Sequence, residues 1–201
     1  MLVLGTHNAK KAQELRQLLT PHNIKLKSLD DFPTSINVVE DGDSFQANAE
    51  LKARQQSMHL NQWVIGEDSG LCVDALDGAP GIYSARFSGA EATDESNNRL
   101  LLERLQGVAA EKRSAFYVCH ISLSDPQGRI RASCEATCRG RIRRDPKGNL
   151  GFGYDPLFEI LELHRTFAEL GPHVKGALSH RGRALRRFLP QLLQQYHSCV
   201  G

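Results

Sequence analysis

No apolar stretch in the 201 residues approaches the roughly 20 needed to cross a bilayer as a helix. The opening Met1-Leu2-Val3-Leu4-Gly5 is too short for a secretory leader and lacks a basic first segment, so the expectation is a cytoplasmic protein with no membrane partner. Charge of one sign is also lacking. A formal net charge of +2 supplies no global field to draw the chain onto nucleic acid. Cysteine is sparse and odd in number: Cys72, Cys119, Cys134, Cys138 and Cys199. Cys134 and Cys138 have the wrong spacing for a C-x-x-C zinc pair and, on a strand, lie too far apart for a disulfide. Reduced thiols follow. Aromatics make up only 6% of the chain, and none interleaves with the basic run Arg139-Gly140-Arg141-Ile142-Arg143-Arg144. That run reads as a strand with a solvated face, and no nucleic-acid partner is expected. Internal repeats, low-complexity tracts and linkers are absent as well. One domain spanning 1–201 is expected, with a sizeable core from 40% hydrophobic residues.

The hydrophobic pattern alternates strands with helices. Leu2-Val3-Leu4 reads as a buried strand, and Asn8 caps a helix with Ala12, Leu15, Leu18 and Leu19 on one face and Pro21 past its end. Ile24 and Leu26 mark a second strand. Asp43 or Ser44 opens a helix to about Met58. Trp63 to Ile65 is a third strand, and Leu71-Cys72-Val73 resumes beyond a turn at Gly70. Gly78-Ala79-Pro80-Gly81 is a loop, and Thr93 or Asp94 begins a helix carrying Leu100, Leu101 and Leu105. Ser114 to Leu123 and Ile130 to Ile142 pair across the turn Asp125-Pro126-Gln127-Gly128. Thr166 and Glu169 have capping-box spacing. The last helix carries Ala184, Leu185, Phe188, Leu192 and Tyr196, is kinked at Pro190, and frays from Ser198 to Gly201. The sum is an α/β fold on a mixed sheet.

Glu67 and Asp68 stand side by side after the apolar run Trp63-Val64-Ile65-Gly66. Adjacent carboxylates repel and cost desolvation energy where a core strand ends. The pair is either a solvated turn or a divalent-cation site in which metal charge offsets the repulsion. Glu40 is a further acid available to such a site. Asn48 and Lys52 lie one helical turn apart and share a face.

Gly5-Thr6-His7-Asn8-Ala9-Lys10-Lys11 joins a strand to a helix, where backbone N–H groups bind phosphate and Lys11 adds charge. It lacks the Walker A pattern, and by itself the segment reads as a structural cap ahead of a ligand site, with Thr6 and Asn8 as neutral polar contacts. In Gly151-Phe152-Gly153-Tyr154-Asp155-Pro156, glycines beside Phe152 permit close backbone approach, Phe152 can stack on a flat ring, and Asp155 can accept from a ring N–H. The alternative is a strand-entry turn with a core Phe. Lys175 and Ser179-His180-Arg181 set donors ahead of a helix, where cations oppose the macrodipole and propensity does not explain them.

Taken together, these segments resemble the inosine triphosphate pyrophosphatase family. Its T-x-N-x-x-K is met by Thr6, Asn8 and Lys11, and its acidic strand end by Glu67-Asp68-Ser69-Gly70. Gly78-Ala79-Pro80-Gly81-Ile82-Tyr83-Ser84-Ala85-Arg86, Gly151 to Pro156 and Ser179-His180-Arg181 follow in order. The resemblance covers nearly the whole chain. One departure is His7, where bacterial members usually have Gly: its Cβ either crowds a triphosphate or its ring adds a contact.

The resemblance implies a long mixed sheet with two α/β lobes around a central active-site cleft, and a homodimer. It implies Mg2+-dependent hydrolysis of ITP, dITP and XTP to the monophosphate and pyrophosphate. Asp68 is then the base that activates water, with Glu40, Glu67 and Asp68 as metal ligands. Asn8, Lys11, Lys52, Ser69 and Lys175 contact the triphosphate, with Thr6 as a polar neighbour. Phe152, with Gly153 and Tyr154 in its loop, stacks on the purine, and Asp155 fixes the ring edge or the loop. His180 and Arg181 donate to the C6 carbonyl, which adenine lacks. Two rivals are a pyrophosphatase for modified pyrimidine nucleotides and a small RNA-binding module built on Arg139 to Arg144.

Overall fold

A computed structural model describes every residue except Asn23, Lys25 and Gly201, and the backbone alone of 196–200. Seven strands form one mixed sheet: β1 (Leu2–Leu4), β2 (Leu26–Ser28), β3 (Trp63–Val73), β4 (Ser114–Ser124), β5 (Ile130–Ile142), β6 (Phe158–Ile160) and β7 (Arg165–Thr166). Their order is β2-β1-β3-β4-β5-β6-β7, with β1 parallel to both β2 and β3 and with antiparallel pairing from β5 through β7. Among the described residues, five α-helices accompany them: α1 (Ala9–Leu19), α2 (Phe45–Leu60), α3 (Asp94–Arg104), α4 (Phe167–Leu178) and α5 (His180–Val200). The α/β expectation holds. The chain divides into two compact units, one of residues 1–68, 119–136 and 181–201, the other of 69–118 and 137–180.

In the first unit the strands alternate as their pleat requires. Leu2, Leu4 and Ile65 join the core with Leu15 and Leu19 of α1 and Leu185, Phe188 and Leu192 of α5. Val3 and Val64, paired in register, turn the other way toward Leu29. On that face Gly66 is indispensable: a Cβ there would lie 2.1 Å from the Ala49 carbonyl oxygen and 2.7 Å from the Ala53 nitrogen. The missing side chain lets α2 lie against β3, which brings Asn48 and Lys52 to the strand. Asn8 caps α1 and Ser44 caps α2, each accepting a backbone N–H with its side-chain oxygen.

The second unit has its own core of Leu71, Val73, Leu101, Leu105, Ile142 and Leu157, with Tyr117, Phe158 and Phe167 as its aromatic center. The Phe158 ring lies 4.7 Å from that of Tyr117 and 5.3 Å from that of Phe167. Thr93 and Thr166 open α3 and α4 with capping boxes. Buried Arg113 spends its guanidinium on the carbonyls of Leu105, Ile142 and Arg143.

Four details differ from the sequence reading. The turn predicted at Gly70 does not exist: β3 runs unbroken from Trp63 to Val73, because Ser69 and Gly70 keep an extended backbone inside the sheet. Strand β2 begins at Leu26, beyond Ile24. Strands β6 and β7 are too short to leave an alternating pattern. Helix α5 passes through Pro190 and continues to Val200, where fraying was expected. The side chain of Tyr196 and residue Gly201 lie outside the described residues. The four described cysteines are free thiols.

Candidate functional site

In the first unit, adjacent strand positions send Glu67 and Asp68 to opposite sides of β3. Glu67, 1% exposed, meets α1 and α5: Lys11 Nζ lies 3.1 Å from its Oε2, and Arg181 donates to its Oε1 from Nη2 at 2.9 Å and from Nε at 3.3 Å. The Cys119 thiol donates to the same Oε1 at 3.3 Å. Arg181 Nη1 pairs with Glu14 of α1. Asp68, 6% exposed, meets α2 instead: Lys52 Nζ donates to Oδ1 at 3.0 Å and Asn48 Nδ2 to Oδ2 at 3.5 Å. Lys52 also donates to Glu40 at 2.7 Å.

These pairings shift the protonation equilibria. Burial raises the Asp68 pKa, opposed by Lys52 and Lys11 and reinforced by Glu40 and Glu67. Burial alone would lower Lys52, but Asp68 and Glu40 outweigh it and hold the ammonium charged. Arg181 is likewise kept charged against burial by Glu67 and Glu14. Burial beside Glu67 pushes the Cys119 thiol well up, so it remains an S–H donor.

Glu40 sits on an irregular segment that α2 and the α1 entry loop hold in place. Gln56 bonds both the N–H and the carbonyl of Ile36, His59 bonds the Thr34 carbonyl, and His7 reaches the Ile36 carbonyl at 3.3 Å. His7 therefore has a structural task. Thr6 and Asn8 act as caps: Thr6 Oγ1 accepts from Asn8 N, and Asn8 Oδ1 from Lys11 N, both at 3.1 Å.

The second unit holds the aromatic loop. Asp155 Oδ2 accepts from Phe152 N at 2.9 Å and from Lys175 Nζ at 2.6 Å. The Lys175 ammonium lies 4.5 Å from the center of the Phe152 ring, a cation–π contact. Gly153 has φ +64°. Tyr154 is buried and donates its hydroxyl to the Ser84 carbonyl at 2.8 Å, and its pKa is raised by burial and by Asp94. The His180 ring stacks on Tyr117 at 4.5 Å with 9° between planes. Ser69 is half-buried on β3, and Ser179 is buried between α4 and α5 in extended conformation.

Two clusters are thus assembled. Lys11, Lys52, Glu40, Glu67, Asp68 and Arg181 interlock in the first unit, and Phe152, Asp155 and Lys175 in the second. His180 and Arg181, expected to act together, part company: one stacks on Tyr117, the other binds Glu67 and Glu14. Sequence reading missed Glu14, Cys119 and Tyr117. The spacing of Lys11 and Glu14, one turn apart on α1, was the available signal for the first. The arginine run is partly neutralized, since Glu159 pairs with Arg141 at 2.7 Å and Arg143 at 3.5 Å, while Arg139 stacks on Phe116 at 5.4 Å. No helix among the described residues is long and apolar enough to cross a membrane.

Comparison with known proteins agrees with this arrangement. Residues 2–191 match the model of the Ham1 family. The chain is 54% identical over 197 residues to a protein of Rhodopirellula baltica named dITP/XTP pyrophosphatase, covering 98% of this chain and 95% of that one. It is 45% identical to a protein of the same name from an Exiguobacterium species, covering 96% of each. Among solved structures, a HAM1 protein from Coxiella burnetii superposes with TM-score 0.86 at 36% identity over 96% of this chain and 98% of that one. With a family model spanning nearly its full length and relatives this similar, the chain belongs to the Ham1 family.

Proposed function

We propose that this chain hydrolyses the non-standard purine nucleotides ITP, dITP and XTP to the monophosphate and pyrophosphate, removing them from the nucleotide pool. The observation that carries the reading is Asp68: a buried carboxylate of raised pKa, gripped by Lys52 beside Glu67, in a chain whose relatives are named dITP/XTP pyrophosphatases.

In this reading Asp68 takes a proton from a water whose oxygen attacks the α-phosphorus. The bond from that phosphorus to the α–β bridging oxygen breaks, and pyrophosphate leaves with the electron pair. A carboxylate whose pKa is raised is a better base once ionized. Lys11 and Lys52 bind and neutralize the triphosphate, which competes with Glu67 and Glu40 for them. That exchange of one anion for another keeps half-buried Lys11 and buried Lys52 paired. Backbone N–H groups at the start of α1, beside Thr6 and Asn8, receive phosphate oxygens, and Ser69 and Lys175 add contacts. Rate gain comes from positioning and charge stabilization.

Magnesium takes oxygen ligands and is commonly held by one or two carboxylates together with phosphate oxygens and water. Glu40, Glu67 and Asp68 offer only carboxylate oxygens, and among the described residues no three His, Cys, Asp or Glu side chains are gathered for a metal by themselves. This donor set fits Mg2+ that arrives with the triphosphate: Glu40 and Asp68, both on the Lys52 side of β3, would hold it, and Glu67, which faces Lys11 and Arg181, would join only by giving up those pairs. When bound it supplies charge neutralization on the phosphate oxygens.

For the base, Phe152 stacks on the purine, with Gly153 and Tyr154 shaping the loop and Asp155 fixing it. One face of the Phe152 ring already carries Lys175, so the purine takes the other face or displaces that ammonium. His180 donates to the C6 carbonyl. Arg181 joins it only by exchanging Glu14 for the base. A homodimer acting in the cytoplasm belongs to the same reading. Hydrolysis of ITP in H2(18)O tests the chemistry: label in the monophosphate is expected, and label in pyrophosphate would place the attack elsewhere.

A further inference from the structure

Helix α3 presents two consecutive asparagines, Asn97 and Asn98, and they do different work. Asn97 is buried and fully engaged with the chain before α3. Its Nδ2 donates to the carbonyls of Ser84 at 3.4 Å and Ala85 at 3.2 Å, and its Oδ1 accepts from Ser88 N at 2.8 Å and Ser88 Oγ at 2.9 Å. Asn98 reaches the other way. Its Nδ2 donates to the carbonyl of Gly153 at 2.9 Å. Its Oδ1 is buried and has no hydrogen-bond partner among the described residues.

An unpaired buried acceptor carries a desolvation cost that an apolar side chain of the same size avoids. The bond to Gly153 is what the amide gives in return. Gly153 follows Phe152 directly and stands at φ +64°, with no atom within 4 Å of the place of its missing Cβ, so that side of the turn is open. The loop is tied at its other end by Asp155, which accepts from Phe152 N and Lys175. Tyr154 binds it to the Ser84 carbonyl, the same carbonyl that Asn97 holds.

We propose that Asn98 is a positioning residue for the Phe152 loop: its bond to the Gly153 carbonyl sets the angle at which Phe152 meets a purine, so that Asn98 governs nucleotide affinity and base selectivity without touching phosphate. This rests on the nucleotide reading above.

The test uses Asn98→Leu, which keeps the volume and removes the donor, and Asn98→Asp, which keeps the shape and removes the donor. Losing one such hydrogen bond should raise KM for ITP about threefold to tenfold with kcat nearly unchanged. The ITP-over-ATP ratio of kcat/KM should narrow. Inhibition by inorganic tripolyphosphate, which has no base, should not change. Amide hydrogen exchange across 151–155 should accelerate in both variants, and this readout needs no substrate. Unchanged exchange and unchanged KM in both variants overturn the proposal. So does an equal loss of tripolyphosphate and ITP binding, which marks a general structural defect. If the unmodified chain releases no pyrophosphate from ITP while the variants still loosen the loop, the nucleotide reading fails and the loop contact stands.

Discussion

Glu67 and Asp68 share a peptide bond yet answer to different cations: Glu67 to Lys11 and Arg181, Asp68 to Lys52. The pleat of β3 separates them, and each side of the strand supplies its own lysine. Each acid thus has its own close cation, although burial, Glu40 and Glu67 still push the Asp68 pKa upward. In the mechanism proposed above, Asp68 serves as base while Arg181 keeps Glu67 in place.

Asp68→Asn should therefore abolish most turnover, by orders of magnitude, while the protein remains folded. Circular dichroism and pyrophosphate release measured on the same preparation check this. Near-normal release would remove Asp68 from the role of base.

Arg181→Ala should be costly. It takes from buried Glu67 and from Glu14 the guanidinium that both share. Breaking a buried ion pair from one side costs about 3–5 kcal/mol. Urea unfolding reads that loss directly. A variant of wild-type stability would show that the Glu14–Arg181–Glu67 chain contributes little to the fold.

Gly66→Ala places a Cβ against the backbone of α2 at Ala49 and Ala53. Overpacking of a core typically costs about 1–3 kcal/mol, and backbone cannot yield as a side chain can. Since α2 carries Lys52 and Asn48, tripolyphosphate affinity should fall together with stability. A stable variant with unaltered tripolyphosphate binding would refute the dependence of the site on this close approach.

Asp125 gives a pH signature. Burial would raise its pKa, but hydrogen bonds from Arg129 and Gln127 and the Arg129 charge lower it overall. A carboxylate whose folded pKa is depressed binds its proton more readily in the unfolded chain. Its stabilization is therefore present above the unfolded value of 3.8 and is lost as pH falls through the folded pKa. Asp125→Asn should lower Tm at neutral pH, and the gap to wild type should close below the ordinary carboxylate range. A gap independent of pH would assign the loss to geometry alone.

Much of this was legible in the sequence. The caps at Asn8, Ser44, Thr93 and Thr166, the β4–β5 hairpin and the helical faces all follow from local chemistry. The site residues were legible as motifs, but their partners were not. Nothing in the local sequence says that Arg181 crosses to Glu67 and Glu14, since those contacts depend on how α1, α5 and β3 pack. Ser69-Gly70 misled because both residue types favor turns, whereas strand pairing held them extended. Strands β6 and β7 carry too few residues for a period to show.

The most direct measurement is pyrophosphate release from a panel of ITP, dITP, XTP, ATP, GTP, dUTP and methylated pyrimidine triphosphates, each with and without Mg2+. The account predicts release from ITP, dITP and XTP far above the rest, and only with the metal present. Preference for a pyrimidine nucleotide, or equal release from ATP and ITP, would contradict it.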